Sequence, residues 1–208
     1  MVKPVSFKGF QKGFQGGVQI LLWELCVCIK YLSLWDMTMG TSQMLSCMEE
    51  RIQDINPEME VTCFGQEFNP STFAIAKADM MIRGGNPENM RFGDTLSEDK
   101  FTDYTFRYIN SNPPFGIDWK REQKAVEAEA SKGEDGRFAP GLPKISDGQQ
   151  LLVLNGLKKL DAKGKMAIIQ NGSPLFSGDA GSDPLRSAAT FWKTTGWTAL
   201  FNCPPICS

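Results

Sequence analysis

Segments with a strand pattern alternate with segments with a helical pattern along most of this chain. Residues 60–68 are β-rich and alternate in polarity, and residues 70–83 then show a helical pattern that stops at two glycines. Parallel strands need a crossover between them, usually a helix, whereas antiparallel strands can be joined by a tight turn. The alternation therefore predicts a three-layer α/β fold in which right-handed crossovers join a mostly parallel sheet.

The other predicted elements follow from the same periodicities and from residues that begin or end them. Asn69 and Pro70 supply a side-chain cap and a first-turn proline for the helix that ends at Gly84 and Gly85. The strand before it is expected to end near Gly65. The remaining elements are a helix at 44–56 closed by Asn56 and Pro57, a short strand at 89–96 leading to an exposed Asp94, a strand at 104–115, a helix at 147–160 and a strand at 165–172.

Residues 18–35 form the most apolar segment of the chain. Apolar residues recur at helical spacing from Leu21 to Leu32, which favours a buried amphipathic helix. The segment also carries Glu24 and Lys30, which a membrane-spanning helix tolerates poorly. No membrane segment is therefore predicted.

Two regions are expected to lie outside the core. Residues 1–17 are rich in Gly, Lys and Phe without a clear period, which indicates a loosely ordered start. Residues 120–147 are charged and then Gly- and Pro-rich, which is typical of a mobile excursion. The charged run at 120–135 reads as a solvated face rather than a DNA contact, and the 137–143 loop either closes over substrate or is a structural loop.

The composition excludes several kinds of chemistry. The chain has no histidine, so Ser-His-Asp and Cys-His catalysis are excluded, and none of its 6 cysteines forms a CxxC pair. No metal site is therefore predicted. The net charge is −2, so this chain is not expected to hold a nucleic-acid duplex by itself. Because no secretory signal opens the sequence, a cytoplasmic location with reduced thiols is expected.

Polar or Gly-rich residues follow four successive strands. Ligands of open parallel sheets bind beyond the carboxyl ends of the strands, so these residues are candidates for one shared crevice. Each also has a simpler interpretation: Asn-Pro-Pro as a turn breaker, the glutamate as a helix-start acid, and the aspartate after the third strand as a turn residue. The four sets are Asp36 to Gly40, Glu67, Asp94, and Asn112-Pro113-Pro114-Phe115.

At these positions the chain resembles a known family. Asp94 followed by NPPF, with an acid after the preceding strand, looks like the Rossmann-like amino-methyltransferases that use S-adenosylmethionine. The strings FGQEFNPSTFAIAKADMMIRG, INSNPPFGIDWK and AIIQNGSPLFSG resemble the methylation subunit of type I restriction-modification enzymes. The resemblance spans about residues 36–182, and the core is expected at 18–182. It implies methyl transfer from S-adenosylmethionine to adenine N6 in DNA.

The chemistry of that transfer suits the NPPF residues. The lone pair of adenine N6 is delocalised into the ring, so the nitrogen is a poor nucleophile. The Asn112 amide oxygen and the Pro113 carbonyl can accept both N6 hydrogens and favour a more pyramidal nitrogen. Pro113 and Pro114 fix the backbone direction, and Phe115 would stack on a base flipped out of the duplex.

The resemblance also implies which residues hold the cofactor. Glu67 matches the acid that bonds the ribose hydroxyls, and Asp94 matches the residue that contacts the cofactor adenine. The methionine part of S-adenosylmethionine is expected to lie against the first-strand loop. The residues at the matching positions of that loop are Asp36, Thr38, Met39 and Gly40.

The sequence departs from the family pattern in three places. The loop Asp-Pro-x-x-Gly-x-Gly-Gly has lost its proline and its last two glycines, so Ser42 and Gln43 are expected to crowd the cofactor. The aromatic-Thr-Pro motif and the N-terminal helical domain are absent from residues 1–35. Residues 183–208 have no usable period, and residues 191–196 fit an out-of-frame reading of a family-like segment. The fold is therefore expected to be incomplete at both ends.

The resemblance implies an assembly with a specificity subunit and a restriction subunit, with DNA as the substrate. A truncated and impaired methyltransferase with little activity alone is the first interpretation. A protein-glutamine methyltransferase also uses Asn-Pro-Pro with an aromatic, although the longer strings disfavour it. A catalytically dead remnant that serves in assembly is the third interpretation.

Overall fold

A five-stranded parallel sheet forms the centre of the protein in its computed structural model, which describes residues 30–116 and 118–169. The strands are β1 Tyr31–Asp36, β2 Glu60–Glu67, β3 Met90–Phe92, β4 Phe106–Ser111 and β5 Leu160–Ile168. The helices are α1 Gln43–Ile55, α2 Pro70–Ile82, α3 Gln123–Ala130 and α4 Gln149–Lys158, with short 3-10 helices at Pro87–Asn89 and Gly133–Asp135. The strand order is β3-β2-β1-β4-β5, and every neighbouring pair is parallel, as predicted.

Two hydrophobic clusters cover the two faces of the sheet. Leu32 and Leu34 of β1 pack with the apolar faces of α1 and α2, whereas Trp35 packs on the other face with residues of α3 and α4. Successive side chains of a strand point to opposite faces, so a central strand covered on both sides is apolar throughout. The helices therefore form outer layers on both sides of the sheet, as the three-layer prediction requires.

The ends of α2 match the predicted local signals. The Asn69 side chain accepts hydrogen bonds from the backbone N–H groups of Ser71 and Thr72, and Pro70 occupies the first turn. The helix ends before Gly84, whose φ of 78° is a left-handed conformation suited to glycine. Because of these short-range contacts, α2 begins three residues after the carboxyl end of β2.

The prediction of a helix over residues 18–35 is wrong for its last part. Tyr31–Asp36 is β1, the central strand, and residues 18–29 lie outside the described residues. A strand buried on both faces reads as a continuous apolar run, which periodicity cannot distinguish from a buried helix. The coincidental spacing of leucines up to Leu32 produced the error.

The prediction that residues 120–147 stay outside the core is also wrong. Residues 123–130 form α3, and Val126 and Phe138 have no exposed surface. Ala130 and Leu142 also pack against the same cluster, but these few apolar side chains are scattered among charged residues, Gly and Pro, which concealed them. The segment covers one face of the sheet next to the carboxyl ends of the strands.

Smaller differences concern the lengths of strands. The predicted strand at 89–96 pairs only over Met90–Phe92, and Asp94 is half-buried rather than exposed. The strand predicted at 104–115 covers Phe106–Ser111, and the last strand begins earlier than expected, at Leu160. The segments 1–17 and 183–208 lie outside the described residues. Within 30–116 and 118–169, no helix has the length and apolar character needed to span a membrane.

Candidate functional site

The first loop, residues 36–42, is tied to the end of β4 by hydroxyl and carboxylate groups. Asp36 Oδ1 accepts hydrogen bonds from the Thr38 N–H at 3.0 Å and from the Ser111 hydroxyl at 2.9 Å. The Thr38 and Ser111 hydroxyl oxygens lie 2.7 Å apart. Ser111 directly precedes Asn112, so the first loop and the NPPF loop, residues 112–115, share one hydrogen-bonded cluster. Sequence reasoning missed Ser111, whose only signal is its position before Asn112.

The pKa of the Asp36 carboxyl group lies well above its ordinary value. Burial raises its pKa from 3.8 to about 7, the hydrogen bonds from Thr38 and Ser111 oppose this rise, and the charge of Glu67 adds to it. Its second oxygen, Oδ2, is buried and has no hydrogen-bond partner among the described residues. An unpartnered oxygen of a buried carboxylate is costly, so this atom is suited to accept a bond from a cationic ligand group.

Glu67, at the end of β2, joins the first loop to the start of α2. Its Oε2 accepts the Gly40 N–H at 3.0 Å, and its Oε1 accepts the Asn69 N–H at 2.8 Å. Glu67 therefore does bond at the start of α2, as the simpler interpretation has it, but only through Oε1. Oε2 bonds to the first loop. A carboxylate has about four acceptor positions, so both oxygens can still accept a hydroxyl donor.

Asp94 shapes the β3 turn, residues 93–101. Its Oδ1 accepts hydrogen bonds from the Leu96 N–H at 2.9 Å and the Ser97 N–H at 2.8 Å, which is the turn role weighed above. The neighbouring Thr95 hydroxyl donates to the Met37 carbonyl at 2.5 Å, so the β3 turn also contacts the first loop. Asp94 is half-buried, so part of the residue remains exposed.

Gln66 supports the β3 turn from within the sheet, although the sequence did not mark it as a site residue. Its side chain is fully buried, and its Nε2 donates to the Gly93 carbonyl at 3.2 Å and the Glu98 carbonyl at 2.7 Å. Its Oε1 accepts the Lys100 N–H at 3.2 Å. The only feature of the sequence that could have indicated this role is a long amide side chain at an interior position of a strand.

Most residues of the NPPF loop are exposed. Asn112 and Pro114 are exposed, Pro113 is buried, and Phe115 keeps 55% of its surface accessible. An exposed aromatic ring beside an exposed amide offers a stacking surface and hydrogen-bonding groups to a planar ligand. The exposure of Asn112 is compatible with its predicted role, which stays a prediction.

The altered part of the first loop has an unusual backbone. Ser42 has a φ of 63°, a left-handed conformation in which a side chain is disfavoured, and Gly40 has a φ of 55°. The Ser42 hydroxyl is buried and donates to Asp79 of α2 at 3.3 Å, whereas Gln43 is exposed. Ser42 thus stands where the resembled pattern has a glycine, and its hydroxyl bonds to a helix side chain. The expected crowding of the cofactor by Ser42 is not supported by this contact.

Contacts between the loops bring the predicted strand ends together. The first loop bonds to the end of β2 through Gly40 and Glu67, to the end of β4 through Asp36 and Ser111, and to the β3 turn through Thr95. All four predicted sets therefore lie along one edge of the sheet, where parallel α/β proteins bind ligands. Within the described part of the chain, no cluster of three or more Cys, Asp or Glu side chains could hold a metal ion.

Comparison with known proteins gives a consistent family. The family model described as N-6 DNA Methylase matches residues 18–188. The methylase subunit of the type I restriction enzyme MjaIX from Methanocaldococcus jannaschii is 26% identical in an alignment of 187 residues that covers 85% of this chain and 31% of that protein. The HindI methylase subunit from Haemophilus influenzae is 29% identical over 116 residues, which are 54% of this chain and 24% of that protein. The chain thus spans about a third or less of these relatives.

Solved structures agree on the fold. The type I restriction-modification methyltransferase subunit from Streptococcus thermophilus superposes with a TM-score of 0.69 at 27% identity, covering 85% of this chain and 36% of that one. A class I S-adenosylmethionine-dependent methyltransferase from Listeria monocytogenes gives a TM-score of 0.63 at 16% identity, covering 89% and 54%. The predicted Rossmann-like methyltransferase fold is confirmed.

Proposed function

This chain belongs to the N-6 DNA Methylase family, and on that premise we propose that it transfers a methyl group from S-adenosylmethionine to adenine N6 in DNA, as the methylation subunit of a type I restriction-modification system. The observation that carries this proposal is the cluster of Asp36, Thr38 and Ser111, which joins the first loop to an exposed Asn112. A cofactor loop and a base-binding loop must meet in such an enzyme, because the transfer requires close alignment of the two substrates.

The residues of the first loop and of β2 fit the cofactor. The free Oδ2 of Asp36 would accept a hydrogen bond from the ammonium of the methionine part, and the Glu67 carboxylate would accept the ribose hydroxyls. Asp94 would contact the cofactor adenine from the β3 turn. When bound, S-adenosylmethionine supplies an electrophilic methyl group on a positively charged sulfur.

The NPPF loop would hold the target base. The Asn112 side-chain oxygen and the Pro113 carbonyl accept the two hydrogens of N6, which concentrates the lone pair on the nitrogen that attacks the methyl group. Phe115 stacks on the flipped adenine, and its exposed ring supports this role. The transfer would break the bond between the methyl group and the sulfur and leave S-adenosylhomocysteine, and the proton lost from N6 would pass to water.

The assembly is proposed from the printed names of the relatives, which are methylase subunits of type I restriction enzymes. A specificity subunit would select the DNA sequence, and a restriction subunit would join the same complex. The net charge of −2 supports this division, because DNA binding depends on neutralising phosphates with basic residues. The similarity to DNA methylase subunits over most of the chain favours adenine in DNA over protein glutamine as the methyl acceptor.

A calorimetric titration with S-adenosylmethionine tests the cofactor part of the proposal. We expect the parent chain to bind at cofactor concentrations up to about 1 mM, Asn112→Ala to bind equally well, and Asp36→Asn to bind at least about tenfold more weakly. Asp36→Asn keeps the shape of the side chain and removes its charge. Absence of binding by the parent chain would contradict the proposal and favour a remnant without catalytic function.

Transfer of radiolabelled methyl groups to unmethylated DNA tests the activity. Because Gln43 replaces a glycine and Met37 replaces the proline of the cofactor loop, we expect little or no transfer by this chain alone. Incorporation at a rate close to that of an intact type I enzyme would contradict the expected impairment.

A further inference from the structure

The guanidinium of Arg137 is buried against the β3 turn. Its Nη1 donates to the Thr95 carbonyl at 2.9 Å, and its Nη2 donates to the Leu96 carbonyl at 3.0 Å. Nη1 also donates to Asn155 Oδ1 of α4 at 3.1 Å. Only 8% of this arginine is exposed, so the bonds form away from water, where they hold the turn strongly.

The two carbonyls belong to the residues that directly follow Asp94. Asp94 Oδ1 binds the Leu96 and Ser97 N–H groups on one side of the turn, and the guanidinium binds the carbonyls of the same turn from another side. A planar guanidinium can donate to two successive carbonyls at once through its two terminal nitrogens, whereas a lysine ammonium has a single nitrogen. The orientation of the Asp94 carboxyl group therefore depends on Arg137.

Acidic side chains compensate the buried charge of Arg137. Its Nε lies 3.6 Å from Glu129 Oε1 and 3.9 Å from Asp99 Oδ2, and its backbone N–H donates to Glu129 at 3.3 Å. Burial by itself raises the pKa of Glu129, but bonds from Lys132 and from the Arg137 N–H, with the Arg137 charge, lower it overall. Because Glu129 lies on α3, the cluster connects the 120–147 segment to the β3 turn.

We propose that Arg137 is a positioning residue that holds the β3 turn in the conformation in which Asp94 receives the adenine ring of S-adenosylmethionine. This inference rests on the proposed function. The guanidinium acts through Asp94 and does not touch the reacting atoms. It gives the 120–147 segment a second role besides covering the sheet, because a change in this segment alters the affinity of the cofactor site.

Lys159 provides a matched control from the same charge cluster. Its Nζ lies 2.6 Å from Asp99 Oδ2 and donates to the Phe101 carbonyl at 2.6 Å. The side chain is a buried cation with the same acidic partner as Arg137. It bonds at the far end of the β3 turn and not to residues 94–97, so its loss lowers stability without releasing Asp94.

The test is a calorimetric titration of the full chain with S-adenosylhomocysteine, which carries the same adenosine. We expect Arg137→Met and Arg137→Lys to bind about tenfold more weakly than the parent, and Lys159→Met to stay within about twofold. The titrations are run well below the lowest unfolding temperature of the set. Arg137→Lys keeps the charge, so it supplies the comparison even if the methionine variant does not fold.

Hydrogen exchange gives a readout of the turn itself. We expect faster exchange at residues 94–98 in the Arg137 variants than in Lys159→Met. Arg137 variants that keep the parent affinity, or a Lys159→Met variant that loses as much affinity as they do, would overturn the assignment. A parent chain that does not bind S-adenosylhomocysteine would instead contradict the proposed function, and the role of Arg137 with it.

Discussion

The two sides of the candidate site differ in how completely their polar groups are partnered. In the β3 turn, buried side chains from three parts of the chain bind the backbone: Gln66, Arg137 and Lys159. In the first loop, Asp36 has a buried oxygen without a hydrogen-bond partner in residues 30–116 and 118–169, and Asn112 of the NPPF loop is exposed. A fully bonded turn is a preformed support, whereas unpartnered groups remain available to a ligand. The backbone of the β3 turn is thus held by internal bonds, whereas the first loop keeps a buried oxygen that no described residue bonds.

The largest expected effect on stability concerns the β3 turn. Lys159→Met should lower the free energy of unfolding by about 3 kcal/mol, because it leaves Asp99 buried with one cation fewer. Burial lowers the pKa of Lys159, and the hydrogen bond and charge of Asp99 oppose that shift. Urea unfolding measures the loss, with the exposed Lys144→Met as the control. If Lys159→Met lowers the free energy of unfolding no more than Lys144→Met does, the ion pair of Lys159 and Asp99 does not stabilise the fold.

The next effect concerns Asp36 and depends on pH. Its pKa is raised from 3.8 to about 7 by burial, so the folded chain retains a proton that the unfolded chain loses. The stability contributed by this group is therefore full below pH 3.8 and falls as pH rises to about 7.

Asp36→Asn removes this titration. The variant should be about 2 kcal/mol more stable than the parent near pH 8, with a smaller difference near pH 5. Urea unfolding across this pH range measures the difference. A constant difference between the two proteins at all pH values would mean that the Asp36 carboxylate is already solvated or paired.

A smaller effect concerns the strained residue of the first loop. Ser42→Ala loses the hydrogen bond to Asp79 and keeps the left-handed backbone, whereas Ser42→Gly loses the bond and relieves the strain. The glycine variant should therefore be about 1 kcal/mol more stable than the alanine variant in thermal unfolding. Equal stability of the two variants would contradict the assignment of strain to Ser42.

The smallest effect is expected in the NPPF loop. Asn112→Ala and Phe115→Ala should each change the free energy of unfolding by less than about 0.5 kcal/mol, because both side chains are exposed. Chemical unfolding checks this value. A loss of about 1 kcal/mol or more would mean that these side chains support the fold rather than a ligand.

The sequence predicted the elements that depend on local signals. Asn69 and Pro70 mark the start of α2 because a cap and a first-turn proline act within one turn of helix. The residues at the carboxyl ends of the strands were identifiable because a parallel sheet places all those ends along one edge. Their roles in binding stay predictions, and their placement on one edge is now described.

The errors have a common physical cause. β1 was read as the end of a helix because a strand covered on both faces has no alternation of polarity. The 120–147 segment was placed outside the core because its few large apolar residues, such as Val126 and Phe138, are scattered in a stretch rich in charge, Gly and Pro. In both cases the deciding contacts come from distant parts of the chain, which a local pattern does not contain.

The sequence by itself determined most of the helices and strands and the identity of the polar residues at the strand ends, because these features depend on neighbours within a few positions. The alternation of strands and helices also indicated a parallel sheet, since parallel strands need a crossover between them. Only the tertiary structure decided how those residues are held. The bonds from Ser111 to Asp36 and from Arg137 to Thr95 join residues 75 and 42 positions apart. Such pairings depend on packing in three dimensions, so the support of the site was visible only in the folded chain.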